Sequence, residues 1–392
     1  MKTVFISNYI NHHQIPFSDA LYEKLGEDYH FIQTEPMEEE RVRMGWAVDA
    51  KKIPYVILAY EEEERCRQLI EEADLVLAGW TLRTDLFEKR LGSGKLTLRI
   101  SERIYREGQW KFLSPRGLIA KYKEHIRYRN KPVYLLCAGA YVASDFSLIH
   151  AYPGKMFRFG YFPKTRYTDM KALWAKKSAG EELHLVWAGR MIALKHPEFV
   201  VRAAAALKAR GYRFVVHMVG SGNQEETLRQ QIAAAGLEEN FKMYGFLEPE
   251  AVRDLMEGCH IHLFTSNYLE GWGAVINEAM NAGCCVLANA QTGAAPYLIK
   301  DGENGCLYQD GSYEAFEEKL LALFEDRQAV RLMGENAYRT VTELWNAEHA
   351  AAECIRFYKN WEKGIMDLPA KGPFSKAAKI PAKFSYNEGK LE

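Results

Sequence analysis

The chain has 392 residues, 51 Lys and Arg against 52 Asp and Glu, and 48% hydrophobic residues. That length exceeds one ordinary domain and suits two, each large enough to bury its own core. A formal charge of −1 excludes binding to nucleic acid through the overall field, and the composition excludes wholesale disorder.

The opening Met-Lys-Thr-Val-Phe-Ile-Ser-Asn carries one charge, and its apolar run stops at Ser7. It reads as a first strand over 3–7, not as a signal peptide. Strand-like runs follow at 30–34, 53–58, 75–80, 96–100, 133–137 and 156–162, with helical periodicity at 61–72 and 116–129. The polar, proline-bearing stretch 162–166 is the linker. Beyond it the alternation restarts, with strands at 183–188, 214–219, 241–244, 260–264 and 284–288. Helices are predicted at 197–210, 224–235, from 249, up to 282, at 313–325 and at 328–343. A last helix spans 349–366, and the tail after Asp367 has no clear pattern. Alternating strand and helix predicts an α/β fold of two Rossmann-like doubly wound domains, with a ligand at the strand carboxyl ends and between the domains. The boundaries are 1–163 for the first domain, 167–345 for the second, and 346–392 for the last helix and tail.

No apolar run approaches the eighteen or so residues that cross a bilayer. Seven cysteines (66, 137, 259, 284, 285, 306 and 354) are odd in number, show no CxxC spacing and sit mostly in apolar runs. They read as reduced thiols, which points to the cytoplasm.

The strongest constellation is Ser266-Asn-Tyr-Leu-Glu270-Gly271-Trp272-Gly273-Ala274-Val-Ile-Asn-Glu278, between a buried strand and a helix. Glycines let a ligand approach the backbone, and a helix N-terminus favours an anion. Glu270 in the loop and Glu278, expected about two turns into the helix, suit sugar hydroxyls. A spacing of eight between two glutamates means little by itself; the setting and the glycines carry the weight. The plain alternative is a strand-to-helix turn with Glu278 on a solvated face. The second constellation is Trp187-Ala188-Gly189-Arg190-Met191-Ile-Ala-Leu-Lys195, again at a strand end. Arg190 offers a planar fork and Lys195 a point charge, a clamp for a diphosphate whose charge grows as it leaves.

The stretch from about 183 to 344 resembles the nucleotide-sugar domain of the retaining glycosyltransferases of family 4, which have the GT-B architecture. The matching pieces are Ala-Gly-Arg-Met-x4-Lys (188–195), Val-Gly-Ser-Gly (219–222), Tyr-Gly-Phe (244–246), Phe-Thr-Ser (264–266), Glu-Gly-Trp-Gly-x4-Glu-Ala-Met (270–280), Asn-Ala-Gly-Cys-Cys-Val-Leu-Ala (281–288) and Asp-Gly-Glu-Asn-Gly (301–305). The resemblance implies two Rossmann-like domains facing across a cleft. It implies that Arg190 and Lys195 hold the donor diphosphate, Glu278 the ribose and Glu270 the donor sugar. The base then lies near Gly245 and Phe246, and the last helix crosses back onto the first domain. Gly189, Ser266, Gly271, Trp272, Gly273 and Ala274 complete the expected donor site.

The first domain resembles the family less. After strand one, Ser7-Asn8-Tyr-Ile-Asn11-His12-His13-Gln14 replaces the pair of glycines common in the family. Asn11, His12 and His13 are candidates to orient an acceptor hydroxyl or the leaving phosphate, with His13 placed among the catalytic groups; the alternative is a capped helix start. Glu102 and Arg103 are further acceptor-side candidates, with an ion pair as the alternative. Nine Lys and Arg residues between 103 and 131 include a basic amphipathic helix, with Leu118, Ile119, Tyr122 and Ile126 on one face. Such a helix suits anionic lipid at the inner membrane face; the plainer reading is a core-facing stripe with a solvated basic side.

These readings point to transfer of a sugar from a nucleotide diphosphate sugar to a glycan or lipid-linked acceptor, in cell-surface polysaccharide or glycolipid synthesis. No cofactor, metal or nucleic-acid partner is expected, and no Asp-x-Asp pair stands in the motifs to hold a metal. The alternatives are a non-catalytic nucleotide-sugar scaffold, and an NAD-type oxidoreductase built on Gly220-Ser-Gly222, whose third fingerprint glycine is replaced by Glu225.

Overall fold

The computed structural model describes residues 1–39, 48–178, 180–309 and 311–380. The chain divides into two compact units. One comprises 1–164 together with 345–380, and the other is Thr165–Leu344.

The first unit is built on seven parallel strands: β1 (Thr3–Ser7), β2 (Tyr29–Gln33), β3 (Val56–Leu58), β4 (Leu75–Ala78), β5 (Thr97–Ser101), β6 (Val133–Ala138) and β7 (Met156–Phe159). Their order is β3-β2-β1-β4-β5-β6-β7. All side chains of β1, β4 and β6 are buried, as expected for parallel strands covered on both faces. The second unit has six parallel strands: β8 (Leu183–Ala188), β9 (Phe214–Val219), β10 (Phe241–Met243), β11 (Ile261–Phe264), β12 (Cys285–Asn289) and β13 (Cys306–Tyr308). Their order is β10-β9-β8-β11-β12-β13. Each sheet therefore changes winding direction once, between β1 and β4 and between β8 and β11. Such a point leaves a crevice at the strand carboxyl ends where nothing covers the strand tips.

The fold departs from the predicted elements in a few places. The basic helix ends early: Pro115–Glu124 is helical, and Ile126–Tyr128 is a separate 3₁₀ turn. His125 breaks it because its ring turns inward, where it is buried and Nδ1 lies 2.8 Å from the Tyr152 hydroxyl. The last helix is Ala347–Glu362, capped by Asn346, and it packs on the helix Ile15–Leu25 of the first unit. Its Phe357 also meets the rings of Tyr134 and Phe157.

The tail is ordered where it reaches β7. Arg158 N donates to Ser375 O (2.7 Å), Phe374 N to Arg158 O (2.8 Å) and Ala377 N to Met156 O (3.0 Å). This pairing covers the exposed edge of the sheet and buries Phe374. All seven cysteines are buried free thiols. Among the described residues, no helix is long and apolar enough to cross a membrane.

Candidate active site

In the second unit, the two constellations leave the strands on either side of the winding switch, which run paired from Ile261↔Leu185 to His262↔Val186. Their loops are stitched together. Asn267 N donates to Leu194 O (2.9 Å), Thr265 Oγ1 donates to Lys195 O (2.6 Å), and Trp187 Nε1 donates to Thr265 Oγ1 (2.9 Å). His196 holds a left-handed backbone (φ +45°), with Nδ1 2.8 Å from Glu198 Oε1. These bonds present the Lys195 ammonium to the Glu270 carboxylate as an ion pair, with only 16% and 17% of the side chains exposed. Each group thus satisfies the other in a partly desolvated crevice, where such a pair is strong only while both partners stay. Arg190 is exposed and has no ion pair among the described residues.

Two glycines set the course of the Arg190 loop. Gly220 has φ +117°, and a Cβ on it would lie 1.9 Å from Gly189 O; one on Gly222 would lie 2.3 Å from Met191 O. Gly189 N donates to Val219 O (3.0 Å), Met191 N to Ser221 O (2.8 Å) and Gly220 N to Gly245 O (2.7 Å). The space these glycines open is filled by the chain's own backbone. It is not left for a pyrophosphate, which removes the basis of the oxidoreductase alternative. Gly245 (φ +64°), by contrast, has open space on its Cβ side, flanked by the exposed rings of Tyr244 and Phe246.

In the loop 265–273 some expected donor contacts turn inward. The Trp272 indole is 1% exposed and donates to Asn277 Oδ1 (2.9 Å), so it cannot line an open site with its side chain. Ser266 is buried, and its carbonyl accepts from Asn289 Nδ2 (3.1 Å). Gly273 (φ +88°) is required by packing: a Cβ would lie 2.7 Å from Phe264 Cζ. Gly271 and Ala274 are half-exposed. The helix starts only at Val275, so Glu278 lies in its first turn rather than two turns in. Glu278 is half-buried, and burial pushes its carboxyl up to about 7 against the opposing pull of Arg253. It is a group poised to change charge near neutrality, as site residues often are.

In the first unit, the turn after β1 is held by Asn11: His13 N donates to its Oδ1 (2.9 Å), and Gln14 N and Ile15 N to its carbonyl. The rings of His12 and His13 touch at 3.9 Å, and burial lowers the His12 pKa. His13 stacks on Tyr161 (5.9 Å, 10°), whose hydroxyl donates to Glu102 Oε1 (2.5 Å). The structure therefore joins Asn11, His12, His13 and Glu102 into one polar cluster through Tyr161, a residue whose role no spacing signalled. Arg103 has a buried carboxylate as a partner. Its guanidinium is buried on Asp145 (3.0 and 3.1 Å), which also accepts from Tyr105 N and Gln109 Nε2. A buried carboxylate with four donors is a structural anchor that ties 103–109 to the helix Val142–Leu148.

Residues 171–340 match the family model of glycosyl transferases group 1. The match lies wholly in the second unit and contains both constellations of the β8/β11 crevice. Among curated relatives, the UDP-N-acetylglucosamine–peptide N-acetylglucosaminyltransferase GtfA subunit of Streptococcus gordonii is 25% identical over 175 residues, 43% of this chain and 34% of that protein. The amylovoran biosynthesis glycosyltransferase AmsK of Erwinia amylovora is 28% identical over 148 residues, 36% of each chain. The chain thus spans about a third of the length of these relatives. Among solved structures, Anabaena HepE in complex with UDP has the same fold, with a TM-score of 0.65 over 91% of this chain and 100% of that one, at 16% identity. The fold is accordingly of the GT-B class, with two parallel-sheet Rossmann-like units.

Proposed function

We propose that the chain is a retaining glycosyltransferase of family 4 that moves a sugar from a nucleotide diphosphate sugar to an acceptor hydroxyl in polysaccharide or glycolipid synthesis. The observation that carries this reading is the β8/β11 crevice, where the Arg190–Lys195 loop meets the Glu270 loop inside the matched domain. In the reaction, the bond from the anomeric carbon to the phosphate oxygen breaks and its electron pair leaves with the nucleotide diphosphate. The acceptor oxygen bonds that carbon on the same face, and its proton passes to the departing phosphate. Arg190 and Lys195 stabilise the charge that grows there, which does the electrostatic work of a metal and predicts turnover in EDTA.

A diphosphate that takes Lys195 frees Glu270 to accept sugar hydroxyls, so the ion pair holds both groups in place before the donor arrives. Glu278 takes the ribose, and the open backbone at Gly245 beside Phe246 borders the base. On the acceptor side, His13 and Glu102 orient the incoming hydroxyl through the Tyr161 cluster. UDP-sugars are the first donors to try, because HepE was also solved with UDP-glucose.

The basic stretch extends this reading to a lipid-linked acceptor. The helix Pro115–Glu124 buries no residue, and Leu118, Ile119 and Tyr122 are exposed beside exposed Trp110 and Leu113. A large apolar group set among Arg116, Lys121 and Lys123 suits an anionic lipid interface and a peripheral place at the inner membrane face.

The deciding experiment is a thermal-shift and turnover screen of the full chain against UDP-, GDP-, ADP- and dTDP-sugars, with the product anomer read by NMR. One donor is expected to stabilise the protein and turn over with retention. Stabilisation without turnover on any acceptor would make the chain a binding scaffold, and an inverted product would refute retention.

A further inference from the structure

The first unit has a winding switch of its own. Its sheet changes winding direction between β1 and β4, paired there as Ile6↔Ala78, and the loops leaving these two strands define a ligand position by the same topology that places the β8/β11 site. From β1 comes the Asn11–Gln14 turn with its histidines. From β4 comes Trp80, with 60% of its surface exposed. An indole left this open beside the switch forgoes a large apolar burial, because Trp buries more apolar area than almost any other residue when it can.

The loop that carries Trp80 is fixed from both sides. Asn8 N donates to Trp80 O (2.8 Å), and Ser7 Oγ lies 3.2 Å from the same carbonyl while accepting from Gln14 Nε2 (3.2 Å). Two residues on, Leu82 N donates to Glu35 Oε1 (3.1 Å), and Thr81 Oγ1 lies 2.6 Å from Thr34 Oγ1. One serine hydroxyl therefore links the main chain of the tryptophan loop to the histidine turn. The backbone of residue 80 is thus fixed while its ring remains uncovered, so a ligand meets the indole at a set position in the loop.

Resting on the reading above, we propose that Trp80 is the stacking platform for a pyranose ring of the acceptor and a determinant of which acceptor is used. A sugar ring offers one face of C–H groups to the electron-rich indole and a rim of hydroxyls to polar neighbours. The Asn11–Gln14 turn, tied to the same Ser7, carries the His12 and His13 imidazoles at this end of the sheet. An aliphatic lipid chain would use the indole but leave that polar rim unmatched.

The test titrates the full-length chain with methyl α- and β-glucopyranoside, methyl galactopyranosides and methyl N-acetylglucosaminide, reading tryptophan fluorescence, with Trp80→Phe as the control. At least one glycoside is expected to change the wild-type emission, and the change should vanish in Trp80→Phe at an unaltered melting temperature. In transfer assays, Trp80→Ala should raise acceptor KM on the order of tenfold, the scale of one ring stacked on an aromatic face, while donor KM moves by less than about twofold. Trp80→Phe should recover most of the loss. An unchanged emission with every glycoside, a response that survives in Trp80→Phe, or an unchanged acceptor KM in Trp80→Ala would overturn the proposal. So would a Trp80 signal that answers only to lipid vesicles. If no nucleotide sugar binds the second unit, the glycosyltransferase reading falls, yet the glycoside titration still decides the role of Trp80.

Discussion

Gly220→Ala is the sharpest probe of how the site is built. A Cβ at this position would sit 1.9 Å from Gly189 O, a backbone atom with no side-chain freedom to move aside. Ordinary C···O contact is about 3.3 Å, so the two loops must separate by roughly 1.4 Å. That displacement stretches Gly189 N→Val219 O (3.0 Å) and Met191 N→Ser221 O (2.8 Å), the bonds that cross between the two loops, beyond bonding range. Two lost hydrogen bonds cost about 1–3 kcal/mol, and a non-glycine residue at φ +117° adds about 1–3 kcal/mol of strain. Against this, the alanine restricts the unfolded chain and returns only about 0.4–1 kcal/mol. The net loss is about 3 kcal/mol. For a unit of this size that lowers the melting temperature by roughly 6–12 °C. Moving the Arg190 loop by more than an ångström should also cost about 10²-fold in turnover. Calorimetry with and without donor, beside steady-state kinetics, measures both. A variant that melts within about 2 °C of wild type and keeps its donor affinity would show that the loops are not interlocked as described.

Lys195→Ala should lower turnover by about 10²-fold or more, measured with the accepted donor at saturation. Ionised Glu278 accepts hydroxyls best, so donor affinity by calorimetry should rise as the pH passes about 7, and Glu278→Gln should flatten the profile. For stability the sign is opposite. A carboxyl raised from 4.5 to about 7 contributes stability present below 4.5 and lost as the pH rises through 7, and denaturant titrations at several pH values would detect this. His262 is fully buried, with neither ring nitrogen hydrogen-bonded among the described residues, and burial pushes its pKa down to about 3. Wild-type stability should therefore drain away as the pH falls below 6.5, and His262→Leu should be neutral or stabilising by about 1–2 kcal/mol in urea unfolding. Ile119→Glu should weaken co-sedimentation with anionic vesicles relative to wild type; equal sedimentation of the two would refute the lipid-facing surface.

Much of the fold was legible because parallel strands buried on both faces leave short unbroken apolar runs: 3–7, 183–188 and 214–219 coincide with β1, β8 and β9. Where prediction missed, a long-range contact had overridden the local pattern. His125 ends a helix that periodicity would continue, because Tyr152 draws its ring inward. β13 is only three residues long and gains its character from pairing with β12. In the site, the sequence names Arg190, Lys195 and Glu270 as charged groups at strand ends, and the fold pairs Lys195 with Glu270. The course of the Trp272 side chain was not legible, since nothing in Glu-Gly-Trp-Gly says that the indole turns to Asn277.

The sequence by itself determined the chemistry available: a near-neutral chain of alternating strands and helices, with cations after one strand and carboxylates after another. These properties are local, set by residue type and by periods of two and 3.6. Only the tertiary structure decided which of those groups meet. Strand order is fixed by the crossovers and by the cores they bury, information spread over the whole unit rather than held in any one segment. That order puts β8 beside β11, and so brings Lys195 to Glu270 across 75 residues of chain. By the same cause it puts β1 beside β4, which sets an exposed tryptophan next to a histidine turn that no sequence spacing connects.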